Sequence, residues 1–233
     1  MKHGEVLEEI EREIREKGYS SVAKRFWRLV KEVKKSPDLA VKYAERIGRI
    51  DQEIFREKAG ITVPLQVGNL LAILGIAASI GLIAAGAGSP YPIVYAVASA
   101  FILSTVVHPL AHITAGRLAG MRFTFYFLNG PIKIEPTVKV DYGTYLRASP
   151  EQRVAMHLAG PAATALSPLL VMVIAYSLGY PASSLYALVA LFLFFLSTEF
   201  IPLLLVKAGS PRFLGLDFRK SDTYRAMREK KLA

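Results

Sequence analysis

Residues 91–116 read YPIVYAVASAFILSTVVHPLAHITAG, a stretch with no Lys, Arg, Asp or Glu and with two histidines near its end. About 20 consecutive apolar residues suffice to cross the hydrocarbon of a bilayer as a helix. Three further stretches meet that length, at roughly 64–87, 154–178 and 183–206. No charged residue occurs anywhere in 62–116, and 154–206 holds only Glu199. A soluble chain of 233 residues would spread charge over each surface helix instead. With 52% hydrophobic residues and a positive mean hydropathy, the expected fold is mainly α, a polytopic membrane bundle of four transmembrane helices.

Working outward from the spans, every Lys and Arg falls in one of three segments. Residues 1–60 hold 15, residues 117–153 hold 6 and residues 207–233 hold 8. The short connections near Gly88–Pro90 and Gly179–Pro181 hold none. Four spans put these two sets on opposite faces, and the positive-inside rule assigns the basic face to the cytoplasm. The expectation is an integral protein of the cell membrane with both termini cytoplasmic. It also accounts for the net charge of +10 without nucleic acid as a partner. The first sixty residues lack the apolar core of a signal peptide. Cysteine is absent, which excludes disulfides and thiolate metal sites.

Three units follow: a basic cytoplasmic helical segment over 1–60, the transmembrane domain over 61–208, and a basic cytoplasmic tail over 209–233. In the first, Val6, Leu7, Ile10 and Ile14 recur at helical spacing, as do Val22, Phe26, Leu29, Val30 and Val33, then Val41, Ala44, Ile47, Ile50 and Ile54. Such stripes suit helices lying on the membrane face or a cap packed on itself or a partner. Between the second and third spans, residues 122–142 alternate apolar with polar residues around Asn129-Gly130, a β-hairpin signal. Pro131 and Pro136 restrict its second strand to an edge.

Three of the four histidines lie in spans, where an ionisable residue is a functional hypothesis by default. His108 and His112 are four apart, so both rings project from one helix face and can share one Zn²⁺. At 1.5 Å per residue from the cytoplasmic boundary, His108 lies about 13 Å deep, His112 about 7 Å, His157 about 6 Å and Glu199 about 12 Å. All four groups fall in one layer of the inner leaflet. Paired haem ligation by His108 and His112 is excluded by their shared face; only His157 with one of them could approach haem from two sides.

These features resemble the site-2 protease family of intramembrane zinc metalloproteases. HPLAH (108–112) stands where that family has HExxH, the β segment follows, HLAGPAATA (157–165) matches an AGP-like motif, and Glu199-Phe200-Ile201-Pro202 matches Asn-x-x-Pro. The resemblance covers about 91–208, or to 222 if the tail acids are included. It implies a zinc site on His108 and His112 with a third ligand. The chain departs from the pattern twice. Pro109 occupies the position of the general-base glutamate, and proline cannot take a proton. The family's aspartate ligand is missing soon after Pro202, the next acids being Asp217 and Asp222. The third ligand is open between Glu199, a tail acid (Asp217 or Asp222) and His157, with Glu199 also the candidate replacement base. The expected function is a membrane-embedded zinc metalloprotease scaffold cleaving or binding transmembrane segments of a substrate or client. The alternatives are a catalytically inactive client-binding or regulatory relative, and a metal-ion transporter.

Overall fold

The computed structural model describes residues 3–129, 135–209, 212–213, 216–217, 219 and 221–231. The chain is mainly helical. Helices α1 (His3–Lys17), α2 (Ala23–Val33) and α3 (Pro37–Lys58) come first. Ser36 caps α3, accepting from the Leu39 amide at 3.5 Å, and Pro37 opens its first turn. The apolar stripes of these helices face one another: Leu7, Ile10, Phe26, Val30, Val33, Ala44 and Ile47 form one buried cluster, joined by Leu146 from further along the chain.

Strand β1 (Thr62–Pro64) leads into α4 (Leu65–Ala85), and α5 (Pro92–Leu118) follows. Strands β2 (Phe123–Asn129) and β3 (Glu135–Val140) come next, then the short α6 (Tyr142–Arg147), α7 (Pro150–Ser177) and α8 (Ala182–Lys207). Helices α4, α5, α7 and α8 are each long and apolar enough to cross a membrane. Leu70, Leu74, Val94, Leu170, Phe194 and Leu204 stand exposed on them, as expected of surfaces that face lipid rather than water. Helix α7 begins four residues before the expected span, at Pro150 rather than 154. Ser149 and Gln152 close a reciprocal capping box there and satisfy two amides at the N-terminus, which lets the helix start earlier.

The three strands form one antiparallel sheet in the order β1-β2-β3, with Val63 opposite Tyr126 and Tyr126 opposite Val138. The turn expected at Asn129-Gly130, with Pro131, falls at 130–134, outside the described residues. Tyr126 ties the sheet to α4, donating to Asn69 Oδ1 at 2.9 Å. On the other side, α3 packs directly on α6: a side chain at Gly48 would lie 2.7 Å from the Gly143 amide.

Small residues set the spacing between the apolar helices. Ser79 on α4 and Ser99 on α5 exchange hydroxyl-to-carbonyl bonds of 3.0 and 2.9 Å, the kind of contact that fastens helices where no water competes. At the end of the bundle away from the sheet, Gly179 (φ 74°) closes α7 with the Tyr180 amide on the Ala175 carbonyl at 3.0 Å. The Tyr180 hydroxyl then caps α4 through the Ile83 carbonyl at 2.6 Å. Past α8, strands β4 (Arg212–Phe213) and β5 (Leu216–Asp217) pair, and α9 (Asp222–Lys230) folds back onto α7 and α8.

Candidate metal centre

Helices α5 and α7 form the most extensive packing in the bundle, and the histidines sit between them. Helix α5 runs through Pro109 without a break, so His108 and His112 keep the one-turn spacing that brings their rings together edge to face. His112 is buried, at 6% exposure. Its Nδ1 is 2.6 Å from the Met156 carbonyl. A carbonyl only accepts, so Nδ1 carries a proton, and in the neutral ring Nε2 keeps its lone pair. His108 Nδ1 is 2.8 Å from the Thr164 hydroxyl, which can accept in the same way. Both Nε2 atoms then turn to a common point, 3.1 Å apart.

The AGP-like glycine makes this possible. A side chain at Gly160 would lie 2.7 Å from both Cδ2 and Cε1 of His112 and closer still to Nε2. On α7, His157, Gly160 and Thr164 recur every three or four residues and share one face toward α5.

The third member arrives from the tail. Ser221 caps α9, its hydroxyl accepting from the Tyr224 amide at 3.3 Å, and Asp222 opens the helix. Asp222 Oδ2 lies 3.3 Å from His112 Nε2 and 3.5 Å from His108 Nε2. Its other oxygen, Oδ1, lies 3.5 Å from His157 Nδ1 and 3.3 Å from the Arg225 guanidinium. His157 Nε2 is in turn 3.0 Å from the Tyr145 hydroxyl. His157 therefore orients the carboxylate from behind rather than facing the two imidazoles. Burial alone would raise the Asp222 carboxyl, but the imidazoles of His108, His112 and His157 around it outweigh burial and hold it well below the usual range.

Helix α9 is held in register by a second buried residue on the face of Asp222, two turns on. Glu229 Oε2 accepts from Arg153 Nε at 2.7 Å, and Oε1 pairs with Lys34, the residue that caps the end of α2. Arg153 is itself 3% exposed and donates to the Ala148 carbonyl at 2.8 Å. One carboxylate thus joins the tail, α7 and the N-terminal helices in a single buried network. Burial alone would raise Glu229 as well, but Lys34 and Arg153 outweigh it and hold the carboxyl below its ordinary value. The Lys34 ammonium is pushed down by its own burial, against the pull of Glu229. With two cations on one carboxylate, the ionised Glu229 sets the direction for the network.

Among the described residues, His108, His112 and Asp222 are the trio of ligand-bearing side chains close enough to hold one ion. His157 touches this trio through Asp222. Glu199 is half-buried on α8 and outside the trio; its backbone carbonyl accepts from the Thr223 hydroxyl of α9 at 3.1 Å. Asp217 lies in β5 opposite Arg212, and its side chain is outside the described residues. Of the two tail acids open on sequence, Asp222 is brought to the histidines. Its signal was the Ser221 cap together with the spacing of Asp222, Ala226 and Glu229 along one helix face. The Thr164 contact had a signal in its periodicity with His157 and Gly160, whereas the Met156 carbonyl and Tyr145 had none. Comparison of the chain with protein-family models, with curated proteins and with solved structures finds no match in any of the three.

Proposed function

We propose that this chain is an integral membrane protein holding one Zn²⁺ on His108, His112 and Asp222, in a site-2 protease-like scaffold that receives and cuts transmembrane segments of other proteins. The observation that carries the reading is the triangle of ligand atoms, with edges of 3.1, 3.3 and 3.5 Å. A triangle of that size has its corners about 1.9 Å from its centre, so an ion about 0.7 Å above the plane is about 2.0–2.1 Å from all three, as tetrahedral zinc requires. The second shell supports it too, since ligating histidines donate their other N–H to a carbonyl or hydroxyl and ligating carboxylates are themselves hydrogen-bonded. Four apolar helices support membrane integration, and the confinement of all Lys and Arg to one face supports cytoplasmic termini in the cell membrane.

When bound, Zn²⁺ supplies a Lewis acid and an acidified water at its fourth position. The chain's own residues hold the imidazole tautomers through Thr164 and Met156, and they hold the carboxylate through His157 and Arg225. A second reading, a client-binding relative that does not hydrolyse, is favoured by Pro109, because loss of acid–base help costs about 10²- to 10⁴-fold in rate.

The test uses purified full-length chain in nanodiscs, with zinc measured by mass spectrometry and cleavage of a model transmembrane substrate followed on gels. One zinc per chain with chelator-sensitive cleavage supports the proposal. Zinc binding without cleavage, and cleavage gained in Pro109→Glu, selects the second reading. A chain that retains no zinc under buffered conditions overturns both.

A further inference from the structure

A second polar site lies outside the metal centre, where α3 meets the segment leading into α6. A cleft there is lined by Arg49, Arg122, Arg147 and Thr144 together with the acids Glu45 and Asp141. All three arginines are exposed, and none has an ion-pair partner among the described residues. Asp141 is already engaged: its Oδ1 accepts from the amides of Gly143 and Thr144 at 2.9 and 3.2 Å. Three arginines and two acids therefore line one cleft, and one oxygen of Asp141 is engaged by the backbone, so the lining carries a net positive charge. Guanidinium forks match the oxygens of a phosphate, and several converging on one site favour a phosphate over a carboxylate.

The position of the cleft narrows the ligand. Arg122 follows the last residue of α5, Leu118, by four positions, and Arg147 precedes the first residue of α7, Pro150, by three. On the reading of these helices as membrane spans, both arginines stand where a span ends, at the level of lipid headgroups. Basic pockets at that depth bind anionic headgroups. We infer that the cleft of Arg49, Arg122 and Arg147 is a binding site for a phosphate-bearing anion, with the headgroup of an anionic phospholipid as its source at the membrane surface. The α6 segment that lines the cleft also carries Tyr145, whose hydroxyl meets His157, the residue behind Asp222.

The test is native mass spectrometry of the full chain in neutral detergent, titrated with short-chain phosphatidic acid, short-chain phosphatidylcholine and inorganic phosphate. Single Arg→Gln variants at 49, 122 and 147, and the triple variant, are measured beside the parent. These positions are exposed and outside the metal centre, so the variants are expected to keep the parent's Tm, which is measured alongside. The expected result is one phosphatidic acid per chain, bound at least tenfold tighter than phosphatidylcholine, with about fivefold lost for each arginine removed. Inorganic phosphate bound through the same arginines, with no preference for the anionic lipid, supports the phosphate site and assigns it a soluble ligand. Equal binding of anionic and neutral lipid with no phosphate bound, or a triple variant that binds as the parent does, overturns the proposal. Zinc content is read in the same spectra, so the outcome separates this site from the metal centre.

Discussion

Substituting Gly160→Ala probes how closely α7 must approach α5, the helix that carries His108 and His112. The new methyl group would lie 2.7 Å from two ring carbons of His112 and nearer to Nε2. Non-bonded carbon and nitrogen settle at about 3.5 Å, so the ring must retreat by about 1 Å. Retreat is resisted because His112 Nδ1 is fixed to the Met156 carbonyl at 2.6 Å. Either that bond breaks, and the tautomer is lost, or Nε2 leaves the triangle. Perturbation of a ligand's support costs about 10- to 100-fold in metal affinity, and displacement of the ligand itself belongs at the upper end, about 2.8 kcal/mol. Overpacking also lowers stability by about 1–3 kcal/mol, so a control is needed. Gly75→Ala introduces a methyl group 2.6 Å from Val106 Cγ1, with no histidine among its nearest neighbours. Both variants are expected to lower the Tm, whereas only Gly160→Ala weakens zinc in competition with a chromophoric chelator. Parent-like zinc affinity in Gly160→Ala, with the protein folded, would refute the reasoning.

Asp222→Asn, which removes the anionic ligand, is expected to lower zinc affinity by about 10²-fold or more in the same assay, with His108→Ala doing likewise. Glu229→Gln leaves Arg153 and Lys34 buried against an uncharged partner and is expected to cost about 3 kcal/mol or more in thermal or denaturant unfolding. Glu229 also sets a pH dependence: a carboxyl held below its ordinary value adds stability that is complete above its unfolded value, near about 4.3, and is lost as pH falls through its folded value. The Tm gap between parent and Glu229→Gln, measured on metal-free protein, therefore narrows as pH falls below about 4.3. Ser79→Ala is expected to cost about 0.6 kcal/mol, the average for such bonds between membrane helices, with zinc affinity unchanged.

The four long helices were legible because 62–116 and 154–206 carry a single charge between them, a pattern that only an apolar surrounding permits. The histidine pair was legible because four-residue spacing on a helix fixes which side chains meet, whatever the tertiary context. Gly160 could be read as a close-contact residue, although the ring it admits could not be named. The third acidic partner was narrowed to alternatives only. Asp222 is twenty residues beyond Pro202, and its place depends on how α9 docks. That docking is fixed by Glu229 with Arg153 and Lys34, residues 76 and 195 positions away, a pairing no local pattern encodes. The stripes of 1–58 indicated helices, and the structure turns them inward on one another.

X-ray absorption at the zinc edge, on the full chain loaded with one equivalent of zinc, tests the account most directly. It predicts four nitrogen or oxygen neighbours at about 2.0–2.1 Å, with imidazole scattering from two rings, and loss of that signature in His112→Ala. A six-oxygen shell without imidazole scattering, unchanged in His112→Ala, would contradict it.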